Sequence, residues 1–172
     1  LWIETAKLTA SDGAEHDQFG SSVSVSGNVA IVGQRVDEND GSIGSAYVYE
    51  KDESTGLWNE TAKLTLSNQA EVGSYSVVTS VSVSGNIAIV CSVVDDDVNH
   101  DGSGSAYVYE KDELTGLWTE TAKLTASDGK SDFFGYSVSV AGDIVIVGAI
   151  HDDDNGGMSG SAYIFEKDES SG

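Results

Sequence analysis

Short runs of apolar residues recur along the chain, either alternating with polar residues or standing in unbroken blocks. SSVSV at 21–25 alternates serine with valine, as a strand with one buried face does. VAIVG at 29–33 is unbroken, as in a strand buried on both faces. SAYVYEK at 45–51 and WNETAKLT at 58–65 are rich in β-branched and aromatic residues, which favour strands. No helical period persists, so the pattern predicts an all-β fold.

The same four runs occur three times. The repeat units are 1–56, 57–116 and 117–172, and their lengths differ only before the SVSVSGN and GSAY segments, which identifies these places as loops. Four antiparallel strands per repeat are typical of a β-propeller blade. A β-helix needs a shorter period, and a sandwich needs no repetition. We therefore predict β-propeller-type blades, with the blade cut between its third and fourth strand at the chain ends.

An ordered set of motifs in each unit resembles a known family. Phe19-Gly20 and Phe134-Gly135 open the alternating strand, which is followed by a Gly-Asn or Gly-Asp turn, an apolar run, an acidic loop and a Gly-Ser-Ala-Tyr segment. This set resembles the FG-GAP repeat of integrin α-subunit β-propellers, in the variant found in bacterial and algal surface proteins. Unit two departs from it with Val77-Val78, and only Gly148-Ala149 matches the start of Gly-Ala-Pro.

The resemblance implies an order of strands within a blade: SVSV innermost, then AIVG, then AYVYEK, with WxETAKLT outermost. Residues 1–10 then correspond to the outer strand of a blade, and 134–167 to the inner three strands of another. We expect residues 1–10 to pair with an AYIFEK-type strand, which is the chain's own 161–167, that of another copy, or an upstream repeat. The predicted assembly edge comprises Leu1, Trp2, Ile3, Glu4, Thr5, Ala6, Lys7, Leu8, Ala162, Tyr163, Ile164 and Phe165.

The net charge of the chain limits the kinds of partner that it can bind. Eight Lys and Arg against 29 Asp and Glu give a formal charge of −21. Such a surface repels nucleic acid and anionic membranes, and no apolar run is long enough to span a bilayer. We therefore predict neither nucleic-acid binding nor membrane insertion. The single cysteine, Cys91, excludes an internal disulfide, and its repeat equivalents are glycines, which predicts a small buried residue.

The loops before the third strands carry candidate calcium ligands. Unit two matches the first half of an Asp-x-Asn-x-Asp-Gly loop, but Val108 occupies the position of the usual bidentate glutamate. The integrin-type calcium loop between the first two strands is replaced by a short Ser-Gly-Asn turn. A calcium site and a solvated Asx-turn loop both stay open for the candidates, which are Asp95, Asp97, Asn99 and Asp101, then Asp37, Asn39 and Asp40, then Asp152, Asp154 and Asn155.

No catalytic constellation recurs in the three units. The histidines His16, His100 and His151 occupy non-equivalent positions, and the sequence has no nucleophile elbow, so we predict no enzymatic activity and no catalytic residue. The in-phase aromatic residues are interpreted as packing between blades, with glycan stacking by the tryptophans as the alternative. Asn59 begins an Asn-Glu-Thr sequon and is a glycosylation candidate.

Two functions are compatible with these patterns. The first is a non-enzymatic structural or adhesive module, extracellular or at the cell surface, whose partners are other copies or neighbouring repeats in a head-to-tail assembly. The second is a calcium-dependent propeller that binds a protein or glycan ligand through its acidic loops. Propellers typically have four to eight blades, so three blades predict either further repeats or association of copies.

Overall fold

The computed structural model describes residues 1–35, 44–67, 76–95, 103–128 and 132–168. In these ranges the chain forms strands and no α-helix, and therefore contains no helix that could cross a membrane. The predicted all-β fold is confirmed. The strands are β1 (Phe19–Ser26), β2 (Val29–Gln34), β3 (Ser45–Lys51), β4 (Trp58–Thr65), β5 (Ser76–Ser84), β6 (Ile87–Asp95), β7 (Ser105–Lys111), β8 (Trp118–Leu124), β9 (Phe134–Ala141), β10 (Ile144–Ala149) and β11 (Ser161–Glu166).

The strands form three antiparallel sheets in simple up-and-down order. Sheet one is β1-β2-β3-β4, sheet two is β5-β6-β7-β8, and sheet three is β9-β10-β11. Each of the first two sheets takes its outer strand from the following repeat unit, since β4 and β8 lie in units two and three. The predicted order of strands is confirmed, and the three sheets do not close into a ring.

Tight turns fix the registers of the hairpins. Gly27, with φ of 57°, lies between β1 and β2 in the left-handed region that glycine adopts without steric cost. Between β3 and β4 the carboxylate of Asp52 accepts hydrogen bonds from the amides of Ser54 and Thr55 at 2.8 and 2.9 Å. The Ser54 hydroxyl also donates to this carboxylate, at 2.6 Å. That bond is the largest cause of the lowered pKa of Asp52, which is about 2, and the two amide bonds add to it.

The sheets stack face to face, and the core lies between them. Strand β5 packs on β1 and β2, and β9 packs on β5 and β6. Ile31 and Val48 of sheet one bury against Val81 and Tyr107 of sheet two in one hydrophobic cluster. A second cluster lies between sheets two and three and includes Phe134. Sheet two is thus covered on one face by sheet one and on the other by sheet three.

The N-terminal segment contradicts one predicted pairing. Residues 1–10 form no strand, and β11 ends its sheet with no outer neighbour among the described residues. Pairing of Leu1–Ala10 with the chain's own 161–167 is therefore wrong. The reason is distance in the stack: the N-terminal segment packs on sheet one, and sheet two separates sheet one from sheet three. Pairing between copies, or with an upstream repeat, stays a prediction.

Candidate assembly site

The inner strands define two distinct faces of each sheet. We call the face toward the preceding sheet the entry face; in sheet two it includes Val81 and Val83, which are buried against sheet one. We call the opposite face the exit face; in sheet one it includes Ile31, which is also buried. Because side chains alternate along a strand, serines and valines of the SVSV segment fall on opposite faces.

A ladder of serine hydrogen bonds connects successive sheets. Strand β5 is the edge strand of sheet two, and serines of β1 satisfy backbone amides of this strand, which an edge otherwise leaves unpaired. The bonds run to Ser22 Oγ from the Val81 amide at 3.0 Å, to Ser24 Oγ from Val83 at 3.2 Å, and to Ser26 Oγ from Gly85 at 3.2 Å. Ser82 and Ser84 accept likewise from the amides of Val140 and Gly142, both at 3.1 Å.

The two ends of the array expose the positions that are buried inside it. Val23 and Val25 of the first entry face are 67% and 65% exposed, whereas their equivalents in sheet two are buried. On the last exit face Ile146 is 42% exposed, although its equivalents Ile31 and Ile89 are fully buried. The ends therefore present the two halves of the contact that joins neighbouring sheets.

The serines of the last exit face are also placed for this contact. Ser137 and Ser139 of β9 are exposed and correspond in sequence to Ser22 and Ser24, which serve the next sheet. Ala141 replaces the third serine. The sequence alone did not predict this ladder, because an alternating Ser-Val run is equally typical of a strand with one solvated face. Its only signal was the repetition of serine at the same positions in all units.

Ion pairs between sheets repeat with the same spacing. Lys111 Nζ lies 2.7 Å from a carboxylate oxygen of Glu50, and Lys167 Nζ lies 2.7 Å from one of Glu110. Burial opposes ionisation of Glu50, but hydrogen bonds from Lys111 and Thr61 outweigh it, so the pKa of Glu50 is lowered. For Glu110 the hydrogen bond from Lys167 is the largest cause of its lowered pKa.

The end of the N-terminal segment docks on sheet one as the end of β4 docks on sheet two. The Tyr49 hydroxyl donates to the carbonyl of Thr9 at 2.9 Å, and the Tyr109 hydroxyl donates to the carbonyl of Thr65 at 2.7 Å. Leu8 packs against the Tyr49 cluster. Residues 1–7 are exposed. Residues 8–10 thus take the place that the end of an outer strand takes on sheet two, and the first seven residues are exposed to solvent.

The other half of the predicted assembly edge lies on β11. Ala162 and Ile164 are exposed, while Tyr163 and Phe165 are half-buried toward sheet two. The Tyr163 hydroxyl oxygen lies 2.8 Å from a carboxylate oxygen of Asp128 and 2.7 Å from one of Asp152, so its single proton is shared between the two carboxylates. The chain does not bring the two halves of this edge together.

The acidic loop of unit three is organised around Asp152. This buried residue accepts a hydrogen bond from the Asp154 amide at 3.1 Å through one carboxylate oxygen and one from the Tyr163 hydroxyl through the other. The bond from Tyr163 is the main cause of its lowered pKa. Asp154 and Asn155 are exposed. The Asp152 carboxylate therefore holds the loop on β11 and closes an Asx turn with the Asp154 amide.

The remaining calcium candidates are described only in part or not at all. Asp37, Asn39, Asp40, Asp97, Asn99 and Asp101 lie outside the described residues, and only the backbone of Asp95 is described, in β6. Within the described ranges no group of three or more His, Cys, Asp or Glu side chains could hold a metal ion. Calcium binding by these loops stays a prediction.

Three further candidates have defined surroundings. Cys91 is fully buried, as the sequence predicted, and burial raises the pKa of its thiol to about 12, so it is not a reactive nucleophile. Asn59 is exposed on β4, where an attached glycan would face solvent. Trp118 is half-buried against the cluster between sheets one and two, which supports packing between sheets. Trp58 is half-buried against Tyr47 and Tyr49 of its own sheet.

The architecture defines the class of protein, and the family follows from comparison of the sequence. Stacked antiparallel sheets with inner, middle and outer strands are the blades of a β-propeller-like repeat array. The FG-GAP repeat matches residues 2–49, 58–109 and 118–165. The chain belongs to the FG-GAP repeat family, whose members are generally non-catalytic and typical of extracellular or surface proteins. No curated protein is similar enough to the chain to count as a relative.

Proposed function

We propose that the chain is a non-enzymatic structural module of an extracellular or surface protein, which associates head to tail with other copies of itself. One observation carries the proposal: the first entry face and the last exit face are unfilled halves of a contact that the chain forms twice internally. Val23 and Val25 are exposed at one end and Ile146 at the other. Apolar positions grouped on one face favour association.

The internal contacts indicate what the association would look like. A second copy placed on sheet three would bury Val23 and Val25 against Ile146, and Ser137 and Ser139 would accept the amides of its β1 edge. Such a heterologous contact forms a ring if its rotation closes and a filament if it does not. The proposal therefore covers both a closed propeller and an extended array.

Charged substitutions at the end faces test the proposal. We expect Val23→Asp on the entry face and Ile146→Asp on the exit face each to abolish concentration-dependent association, because each places a carboxylate in an apolar contact. Leu114→Asp is the matched control, since Leu114 is almost fully exposed in the hairpin between β7 and β8. Analytical ultracentrifugation measures association. A wild-type chain that stays monomeric at all accessible concentrations would refute the proposal.

The alternative function is calcium-dependent ligand binding by the acidic loops. Its support is the Asp-x-Asn-x-Asp-Gly sequence of residues 97–102 and the clustering of negative charge, which a divalent cation would reduce. The one acidic loop of this kind that is described, in unit three, uses Asp152 internally. The head-to-tail function is therefore the better supported of the two.

A further inference from the structure

We propose that a cavity between sheets two and three is a socket for Trp2 of a second copy, whose residues 2–9 add to β11 as the missing outer strand. This proposal rests on the proposed head-to-tail association and names the segment that exchanges. The cavity has a volume of about 370 Å³. Its walls include Val108, Ala122 and Leu124 of sheet two, and Phe165 and Lys167 of sheet three.

The equivalent space between sheets one and two is filled by a tryptophan. Trp118 of the outer strand β8 packs against the cluster that contains Val48 and Leu64, and Ala62 packs against the same cluster. Trp118 therefore shows what the socket accepts, since Val48, Ala62 and Leu64 are the sequence equivalents of the cavity residues Val108, Ala122 and Leu124.

Burial differs between the filled and the unfilled space in the expected direction. Val48 and Leu64 are buried, whereas Val108 and Leu124 are only half-buried. Ala122 is exposed, but its equivalent beside Trp118 is half-buried. The same residue types thus line both spaces, and only the space that lacks an outer strand is open to solvent.

The N-terminal segment has the sequence that fills such a space. Residues 1–9 read LWIETAKLT, against LWNETAKLT and LWTETAKLT at the two outer strands, and Trp2 is fully exposed. The registers of β4 on β3 and β8 on β7 transfer directly to β11. They predict the pairs Lys167–Trp2, Glu166–Ile3, Phe165–Glu4, Ile164–Ala6, Tyr163–Lys7 and Ala162–Leu8.

One side-chain contact supports this register. Lys63 lies over the ring of Tyr47 with its Nζ 5.2 Å from the centroid, and Lys123 lies over Tyr107 at 5.4 Å. In the exchanged strand Lys7 takes this position over Tyr163, which gives the same cation–π contact.

The path of the chain is compatible with the exchange. Residues 8–10 of the second copy stay docked on its own sheet one, as the end of β4 stays docked on sheet two through Tyr109. A copy stacked on the exit face of sheet three then directs its residues 2–7 along the free edge of β11. The exchanged strand leads into the next sheet as β4 leads into sheet two, so only the exposed residues 2–7 have to take up the strand conformation.

Substitutions of Trp2 and of Ala122 in the socket wall test the exchange in the full chain. We expect Trp2→Ala to weaken association roughly 10- to 30-fold, the loss typical of a truncated interface tryptophan. Ala122→Arg should weaken it at least as much by filling the socket. Both residues are exposed in the single chain, so folding is not at risk. Leu114→Ala, which also removes an exposed apolar side chain, is the control. Association unchanged by both variants would overturn the socket while leaving head-to-tail association intact.

A peptide separates the two proposals further. The synthetic peptide LWIETAKLT, added to the full chain at a concentration where the chain is monomeric, should shift the amide resonances of Val108, Ala122 and Phe165. The peptide LAIETAKLT should bind at least about tenfold more weakly. Binding of the first peptide to a chain that never associates would support the socket and refute the assembly function. No shift at millimolar peptide, or equal binding of the two peptides, would overturn the socket.

Discussion

At the scale of single residues, glycine permits the close approach of one sheet to the next. Gly104 precedes β7 with φ of 81°, and a Cβ placed on it would lie 2.0 Å from the carbonyl oxygen of Phe134. The Phe134 amide donates to the Ser103 carbonyl at 3.2 Å in the same place. Gly160 holds the equivalent position before β11 with φ of 77°, but its nearest atoms are 3.6 Å away. Both glycines adopt the left-handed backbone conformation. Gly104 leads into sheet two, on which sheet three packs, whereas Gly160 leads into sheet three, on which no described sheet packs.

This difference gives a matched pair of substitutions. Gly160→Ala should destabilise the monomer by about 1–2 kcal/mol, the cost of a left-handed alanine. Gly104→Ala adds a steric clash with Phe134 and should cost about 2–5 kcal/mol in total. Urea denaturation at low protein concentration measures both. Equal losses of unfolding free energy in the two variants would contradict the close packing of Phe134 against Gly104.

The Phe-Gly motif also acts through single positions. Phe134 is fully buried and meets the rings of Tyr163 and Phe165 edge to face at 5.6 and 6.0 Å. Gly135 then turns the strand with φ of 95°. In sheet two the buried side chains of Val77 and Val78 replace the pair. The sequence correctly located these positions, but it could not show that both valines are buried without the left-handed conformation that Gly135 adopts.

At the scale of elements, the strands were predictable and their contacts were not. The runs proposed for β3 and β4 coincide with the strands, because their patterning is local and turn residues bound them. The unbroken run of β10 suggested a strand buried on both faces. It instead alternates between buried Val145 and Val147 and exposed Ile144 and Ile146, since no sheet covers its exit face.

The assembly edge shows why the remainder could not be predicted. The sequence predicted residues 1–10 as an outer strand and 161–167 as its type of partner, because both resemble strands that pair elsewhere in the chain. It could not show that residues 1–10 form no strand and pack on sheet one, away from β11 in sheet three, since that depends on three-dimensional distance. The serine ladder and the socket around Ala122 escaped prediction for the same reason: both are formed between sheets, by residues far apart in the chain.

Two ion pairs test whether an outer strand shields the contact between sheets from solvent. The pairs Glu50–Lys111 and Glu110–Lys167 have the same length, but the Lys111 side chain is 23% exposed and that of Lys167 46%. Because screening by solvent weakens exposed pairs, Glu50→Gln should cost about 1 kcal/mol and Glu110→Gln less than about 0.5 kcal/mol of unfolding free energy. Thermal and urea denaturation of the monomer at pH 7 measure both.

The pH dependence of these variants follows from the lowered pKa of each carboxyl group. A pKa lower in the folded than in the unfolded state contributes stability above the unfolded value, 4.5 for glutamate, and loses it as the pH falls through the folded value. The difference in unfolding free energy between wild type and Glu50→Gln should therefore be largest at pH 7 and shrink below about pH 4.5. A difference that persists unchanged at acid pH would contradict the assignment to the ionised pair.

At the scale of the whole molecule, net charge opposes the association that the end faces favour. The formal charge of −21 makes two copies repel each other over the screening length, which is about 30 Å at 0.01 M salt and about 10 Å at 0.1 M. The proposed contact itself is apolar, through Val23, Val25 and Ile146, and apolar burial does not require low salt. The balance between repulsion and burial should therefore depend on ionic strength.

We expect added sodium chloride to strengthen self-association, on the order of tenfold in association constant between about 10 mM and 0.15 M salt. Were attraction between opposite charges the main force, salt would weaken association instead, and the apolar contact would lose its support. Calcium chloride at matched ionic strength separates screening from binding by the acidic loops. Equal effects of the two salts indicate screening alone. A larger effect of calcium, together with a higher melting temperature that chelator reverses, would favour cation binding by loops such as 97–102.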